Sequence, residues 1–155
     1  MEIPQFDPFV DGIMRRFEAD DPSVESKRLE HANVQRIATA FACLGRGDLD
    51  AFCEGFTEDV ELEIHAPAEF PFIRLAKGRN EFRAAIERNF GTVSDQQAEV
   101  LNVVGQGHSI VLIGRERGRL KATGRPYDAH FMYEFTLRGH KISRVFELAV
   151  TNGNR

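Results

Sequence analysis

Tryptophan is absent from this 155-residue chain, and tyrosine, cysteine and methionine number only two, two and three. Two cysteines leave no room for a disulfide framework. Cys43 and Cys53 lie in apolar helical stretches and form no CxxC pair, so they read as buried, reduced thiols. No secretory leader pattern is found, and a cytoplasmic location is expected. No apolar run approaches the roughly 20 residues that a bilayer span requires, so no membrane partner is expected. An excess of positive charge is also missing: 20 Lys and Arg stand against 24 Asp and Glu, for a net charge of −4. A domain of this charge is poorly suited to a phosphate backbone, and nucleic acid is not an expected partner. The one basic run, Arg115, Arg117, Arg119, Lys121 and Arg125, is interrupted by Glu116 and reads as a solvated strand.

Phenylalanine is abundant instead, at thirteen residues. It supplies large apolar area without a polar handle, which suits dense packing or a ligand cavity. Asp7-Pro8 opens a helix whose apolar face is Phe9, Val10, Ile13, Met14 and Phe17. Asp20-Asp21-Pro22-Ser23 breaks it and starts a longer helix to about Leu44, with the stripe Val34, Ile37, Phe41 and Leu44. Asp48 caps a short third helix, Val60 to Ala66 alternates as a strand, and Gly78 precedes a helix carrying Phe82, Ile86 and Phe90. Four β-rich runs follow, Ala98–Val104, Ser109–Ala122, Tyr127–Leu137 and Ile142–Val150, separated by glycine-containing turns. Short links between long strands predict an antiparallel meander, and helices before strands predict an α+β domain. Apolar residues on both faces of the penultimate strand, as at Phe131, Met132, Tyr133 and Phe135, predict a homodimer through the outer sheet face.

The order of these elements, with Gly47-Asp48-Leu49-Asp50-Ala51-Phe52, Phe56-Thr57-Glu58-Asp59-Val60-Glu61-Leu62, Lys77-Gly78-Arg79 and Thr123-Gly124-Arg125-Pro126-Tyr127, resembles the SnoaL-like and ketosteroid-isomerase-like proteins. These belong to the nuclear-transport-factor-two-like superfamily. The resemblance implies a cone: a curved antiparallel sheet wrapped around three helices, with a pocket at the open end. Residues 23–152 form that domain, and residues 1–22 form an extra amino-terminal helical extension. The family's catalytic members use acid–base side chains in an apolar cavity, with no cofactor or metal, and other members only bind ligands. The function implied is a cofactor-free isomerase, dehydratase or hydrolase acting on a small apolar molecule, or else a non-catalytic binder or dimeric scaffold.

The resemblance also nominates residues. Glu147 stands where the limonene-epoxide-hydrolase branch carries an acid on the closing strand. Arg115 matches the Arg of that branch's Arg-x-Asp pair, although Arg117 occupies the Asp position. Aligning Ala66-Pro67 with the family's strand-ending proline turns Glu63 and His65 toward the cavity, with His65 as a candidate general base. A one-residue slip turns both outward and puts Leu62 and Ile64 inside, and that register fits the apolar pattern equally well. Tyr127, Ala129, Phe131 and Tyr133 share the cavity face of the penultimate strand, and Phe41 reaches the same pocket from the long helix. Many members carry Asn at Ala129, and ketosteroid isomerases place an oxyanion-hole Asp near Phe131; both groups are missing here. So is the polyketide cyclases' acid at Val150. His130 faces away with Asp128, while His108 and His140 lie in turns. No metal site is expected.

Overall fold

A computed structural model describes residues 7–18 and 28–153. The elements run α1 (Asp7–Glu18), α2 (Arg28–Gly45), α3 (Leu49–Glu54), β1 (Phe56–His65), β2 (Leu75–Lys77), α4 (Arg79–Gly91), β3 (Val93–Gln106), β4 (Ser109–Leu120), β5 (Pro126–Arg138) and β6 (Lys141–Thr151). The Asp20 to Ser23 break expected before the second helix lies outside the described residues. None of the described helices is long and apolar enough to cross a membrane.

Local chemistry accounts for the helix ends. Asp48 accepts a hydrogen bond from the Ala51 amide at 3.0 Å, which satisfies one orphan donor at the start of α3. Gly47 adopts a left-handed φ of 75° after α2, a conformation glycine takes without a Cβ penalty. On α2, Val34, Ile37, Ala38 and Leu44 are buried at helical spacing, and on α4 Phe82, Ala85 and Asn89 are.

The six strands form one open sheet in the order β2-β1-β6-β5-β4-β3. Four of the neighbouring pairs are antiparallel, but β1 and β6 run parallel, so the sheet is mixed where an all-antiparallel one was expected. The reason is topological. The chain leaves β1, passes through β2 and α4, and returns through the β3–β6 meander to the free edge of β1. A parallel pair needs such a long connection.

Irregularities bend the sheet into a cone. β3 slips register between Ser94 and Gln97 and again between Val100 and Asn102, and β1 slips between Phe56 and Glu61. Each extra residue kinks its strand and tightens the local twist. On β3 each slip also changes which parity faces inward: Val93, Gln96 and Ala98 line the concave side, while Val103 is the buried residue beyond the second slip. The helices fill the concavity. α1 packs against α2 and β3, and its Phe9 and Ile13, 2% and 0% exposed, join the same core cluster as α2 and β5.

Candidate functional site

Strand alternation sends one row of side chains from each strand into the concavity. β4 contributes Glu116, β5 contributes Tyr127, Ala129, Phe131, Tyr133 and Phe135, and β6 contributes Val145, Glu147 and Ala149. β1 presents Leu62 and Ile64, and the helices close the space with Phe9, Phe41 and Phe90. Together they bound a cavity of about 120 Å³, an order of magnitude more than one ordered water needs. The segment between β1 and β2 covers one end. Arg74 gathers the carbonyls of Ala66, Pro67 and Phe70 at 2.7–3.1 Å, and the Asn89 amide grips both backbone groups of Ile73. Phe70 is thereby held edge-on to Tyr127, with ring centroids 5.0 Å apart.

Two carboxyl groups stand in this wall. The Tyr127 hydroxyl donates to Glu116 Oε2 at 2.6 Å, and Gln96 Nε2 donates to Oε1 at 3.2 Å. Both oxygens of Glu116 are therefore engaged, yet burial still pushes its pKa above the usual carboxylate value. Glu147 lies directly opposite Tyr133 across the β5–β6 pair, with that hydroxyl near enough to favour its ionised form. Burial, reinforced by the Glu116 charge, raises its pKa to about 7, against the smaller opposing pull of the nearby Tyr133 hydroxyl. Both tyrosines are pushed far above their ordinary value, chiefly by burial and then by the carboxyl groups. They are proton-holding donors at any physiological pH.

Two glycines make room for this arrangement. A Cβ at Gly118 would fall 2.7 Å from the Tyr127 hydroxyl and 2.9 Å from the Ser94 carbonyl oxygen. One at Gly114 would strike the Phe131 ring and lie 2.7 Å from the Glu99 carbonyl oxygen. The bare backbone on either side of Glu116 lets the β5 rings lie flat on β4, and so lets Tyr127 reach its carboxylate.

The nominated residues divide. Glu147, Tyr127, Ala129, Phe131, Tyr133 and Phe41 all stand in the cavity wall. His65 and Glu63 do not; they pair with each other at 2.7 Å on the outside, where the His65 side chain is 58% exposed. The alternative register is the one adopted, because it buries Leu62 and Ile64 and leaves two polar groups in water. Arg115 also points away from Glu147. Its guanidinium grips Asp128 through Nε at 2.8 Å and Nη2 at 2.5 Å on the convex face. A guanidinium cannot shed its charge to enter an apolar cavity, whereas a carboxyl group can by holding its proton. The strand therefore turns Glu116 inward and Arg115 outward.

Glu116 and Gln96 were missed by the sequence reading. For Glu116 the signal was present: it shares parity with Ile110, Leu112 and Leu120, all buried. Gln96 had no comparable signal, since its inward aim depends on the register slip beside Asp95, whose φ is 54°.

An open, strongly bent sheet over helices, with an acid-bearing apolar cavity inside, defines the small-molecule-binding cone proteins. The profile of the SnoaL-like domain matches residues 34–145. The chain belongs to that family. An NTF2-like protein from Burkholderia xenovorans LB400 is 25% identical, with 77% of this chain and 89% of that one covered and a TM-score of 0.67. A protein from Jannaschia sp. CCS1 named as a SnoaL-like polyketide cyclase is 18% identical, with 82% and 91% covered and a TM-score of 0.67. One from Rhodopseudomonas palustris named as an isomerase is 14% identical, with 77% and 90% covered and a TM-score of 0.64. The last two likenesses are of fold alone. Comparison with curated proteins gives no match.

Proposed function

We propose that the chain is a cofactor-free acid–base enzyme of the isomerase, dehydratase or hydrolase type, acting on a small, largely apolar molecule in the cone cavity. The observation that carries this reading is Glu147: a carboxyl group in an aromatic wall, with its pKa raised to about 7. A group that titrates near the working pH can both take and return a proton. Glu147 as carboxylate removes a proton from carbon or from water, and as acid it delivers one to a leaving group or to the adjacent carbon. The nearby Tyr133 hydroxyl favours its ionised form. Glu116, engaged at both oxygens, keeps Glu147 basic through its charge without entering the transfer. The Tyr133 hydroxyl is the donor available to a developing negative charge, since that of Tyr127 is given to Glu116.

Kemp elimination of 5-nitrobenzisoxazole tests this without knowledge of the natural substrate, because it reports any carboxylate base in an apolar pocket. The rate is expected to rise with pH through an inflection near 7, and Glu147→Gln is expected to lower it by about 10²-fold or more. A rate no better than acetate in solution, or a profile unchanged in that variant, would leave the cavity as a binding site only.

We further propose that a second copy covers the convex face. Ile113, Met132 and Leu148 form a cross-strand row there, with Val150 beside it 61% exposed. Sedimentation equilibrium is expected to give a dimer, and Leu148→Glu a monomer that keeps the wild-type elimination rate. A wild-type monomer at high concentration would refute this assembly.

A further inference from the structure

The charge inside the cavity is one-sided. Among the described residues its wall carries two carboxyl groups, Glu116 and Glu147, and no Lys, Arg or His. The other polar groups lining it are largely engaged. Gln96 and Tyr127 bond Glu116, and both ends of the Asn89 amide are held by the Ile73 backbone. The cations on the same strands point outward: Arg115 to Asp128, and Arg144 to within 3.9 Å of Glu63 and 3.7 Å of Glu134. No side-chain cation therefore competes for Glu147, whose carboxylate has room for about four hydrogen bonds.

Around Glu147 the wall is aromatic. Its cross-strand neighbour Tyr133 lies 5.3 Å from the Phe131 ring, 5.4 Å from Phe135 and 6.2 Å from Phe41. Phe41 also meets Phe9 at 5.1 Å. Ring faces attract a desolvated cation, and a carboxylate beside several rings favours a positive charge on a greasy frame. An anionic ligand would face two acids and no partner. An uncharged hydrocarbon would fill the space but leave Glu147 either protonated or unpaired.

We propose that this cavity selects an apolar amine in its cationic form, an alkylated ammonium group carried on a small hydrocarbon or single-ring frame, with the nitrogen seated between Glu147 and the Tyr133 ring cluster. The proposal names the substrate class of the site and rests on reading the cavity as the place where substrate binds.

The cation and the proton on Glu147 exclude one another. The titratable groups facing Glu147 are Tyr133 and Tyr127 from β5 and Glu116 from β4, while β1, α1, α2 and α4 present Ile64, Phe9, Phe41 and Phe90. Only acids and proton-holding phenols thus surround it, so a bound ammonium must displace the proton. Affinity for a permanent cation therefore rises as pH passes through about 7.

Calorimetric titration with benzyltrimethylammonium, its uncharged isostere neopentylbenzene, and phenylacetate, at pH 6 and pH 8, tests the proposal. At pH 8 the ammonium is expected to bind at least tenfold tighter than the isostere, with several-fold weakening at pH 6 and no such weakening for the isostere. Glu147→Gln should erase the preference. Glu116→Gln keeps the ionisable Glu147, and should keep the preference while extending it to lower pH. The isostere or phenylacetate binding as tightly as the ammonium at pH 8 would overturn the proposal, as would a preference that survives Glu147→Gln. The elimination assay is independent of this measurement. Cation selectivity without turnover removes the enzyme reading and leaves the ligand class standing, and turnover without selectivity does the reverse.

Discussion

Glu147→Gln is expected to unfold at a higher urea concentration than the wild-type protein at pH 8, while losing its acid–base turnover. The folded protein raises this carboxyl group from an ordinary 4.5 to about 7. Between those values the folded state holds a proton that the unfolded chain has released, so stability falls as pH rises through the window. Below about 4.5 the group costs nothing. Above 7 the full penalty is present, on the order of 3 kcal/mol for a displacement of that size. Glutamine has nearly the shape of the protonated acid and can still accept a hydrogen bond from a neighbouring hydroxyl. It therefore removes the penalty without opening a cavity. The gain should appear at pH 8 and vanish near pH 4, as read from urea midpoints. An equal change at both pH values would mean that the side chain acts through packing and not through its charge. A stabilising substitution that destroys turnover is the signature of strain held at a working site.

The way Glu116 and Gln96 escaped the sequence follows from the same balance. On β5 the alternation set Tyr127 to Phe135 in one row, the resemblance marked that row as the inward one, and no register slip interrupts its pairing with β4. On β4 the alternation of Leu112 and Leu120 favours Glu116 as the inward residue, but only its neighbour Arg115 was nominated, through the family resemblance. The two readings differ by one residue, and in a strand that reverses the face. On β1 the alignment through Pro67 nominated His65, while the burial of Leu62 and Ile64 decided the register. In both strands apolar patterning was the better guide, because it reflects the energy that sets the register. The resemblance served best for the order of elements and the cone itself. Neither source could show the parallel β1–β6 pair, which depends on how a meander closes back on the first strand. Gln96 was beyond reach as well, since a bulge beside Asp95 turns it inward and bulges leave little trace in composition.

Removing residues 1–22, and α1 with them, is expected to destabilise the protein severely and open the cavity. The helix stands outside the family match at residues 34–145, which suggests an appendage. Its packing contradicts that. Phe9 is 2% exposed and Ile13 is fully buried, against α2 and β3, and Phe9 contributes a ring to the cavity wall at 5.1 Å from Phe41 and 6.2 Å from Phe131. Burying each such side chain contributes about 1.5–3 kcal/mol. Losing both also uncovers the apolar surface beneath them. The sum is a large part of the 5–15 kcal/mol typical of a folded domain. The double variant Phe9→Ala, Ile13→Ala separates packing from mere chain length, and should lower stability by roughly 5 kcal/mol or more if the protein still folds. Phe9→Ala alone should cost about 3–5 kcal/mol and weaken benzyltrimethylammonium binding, because the missing ring belongs to the cluster around Tyr133. Urea midpoints and calorimetry read the two effects separately. A truncated chain with an unchanged midpoint and unchanged binding would show that β3 and α2 close the cone by themselves. A lowered midpoint with intact binding would make α1 a brace on the outside of the wall instead of part of it. The expected result, loss of both together, would make the cone of this chain one that its amino-terminal helix completes.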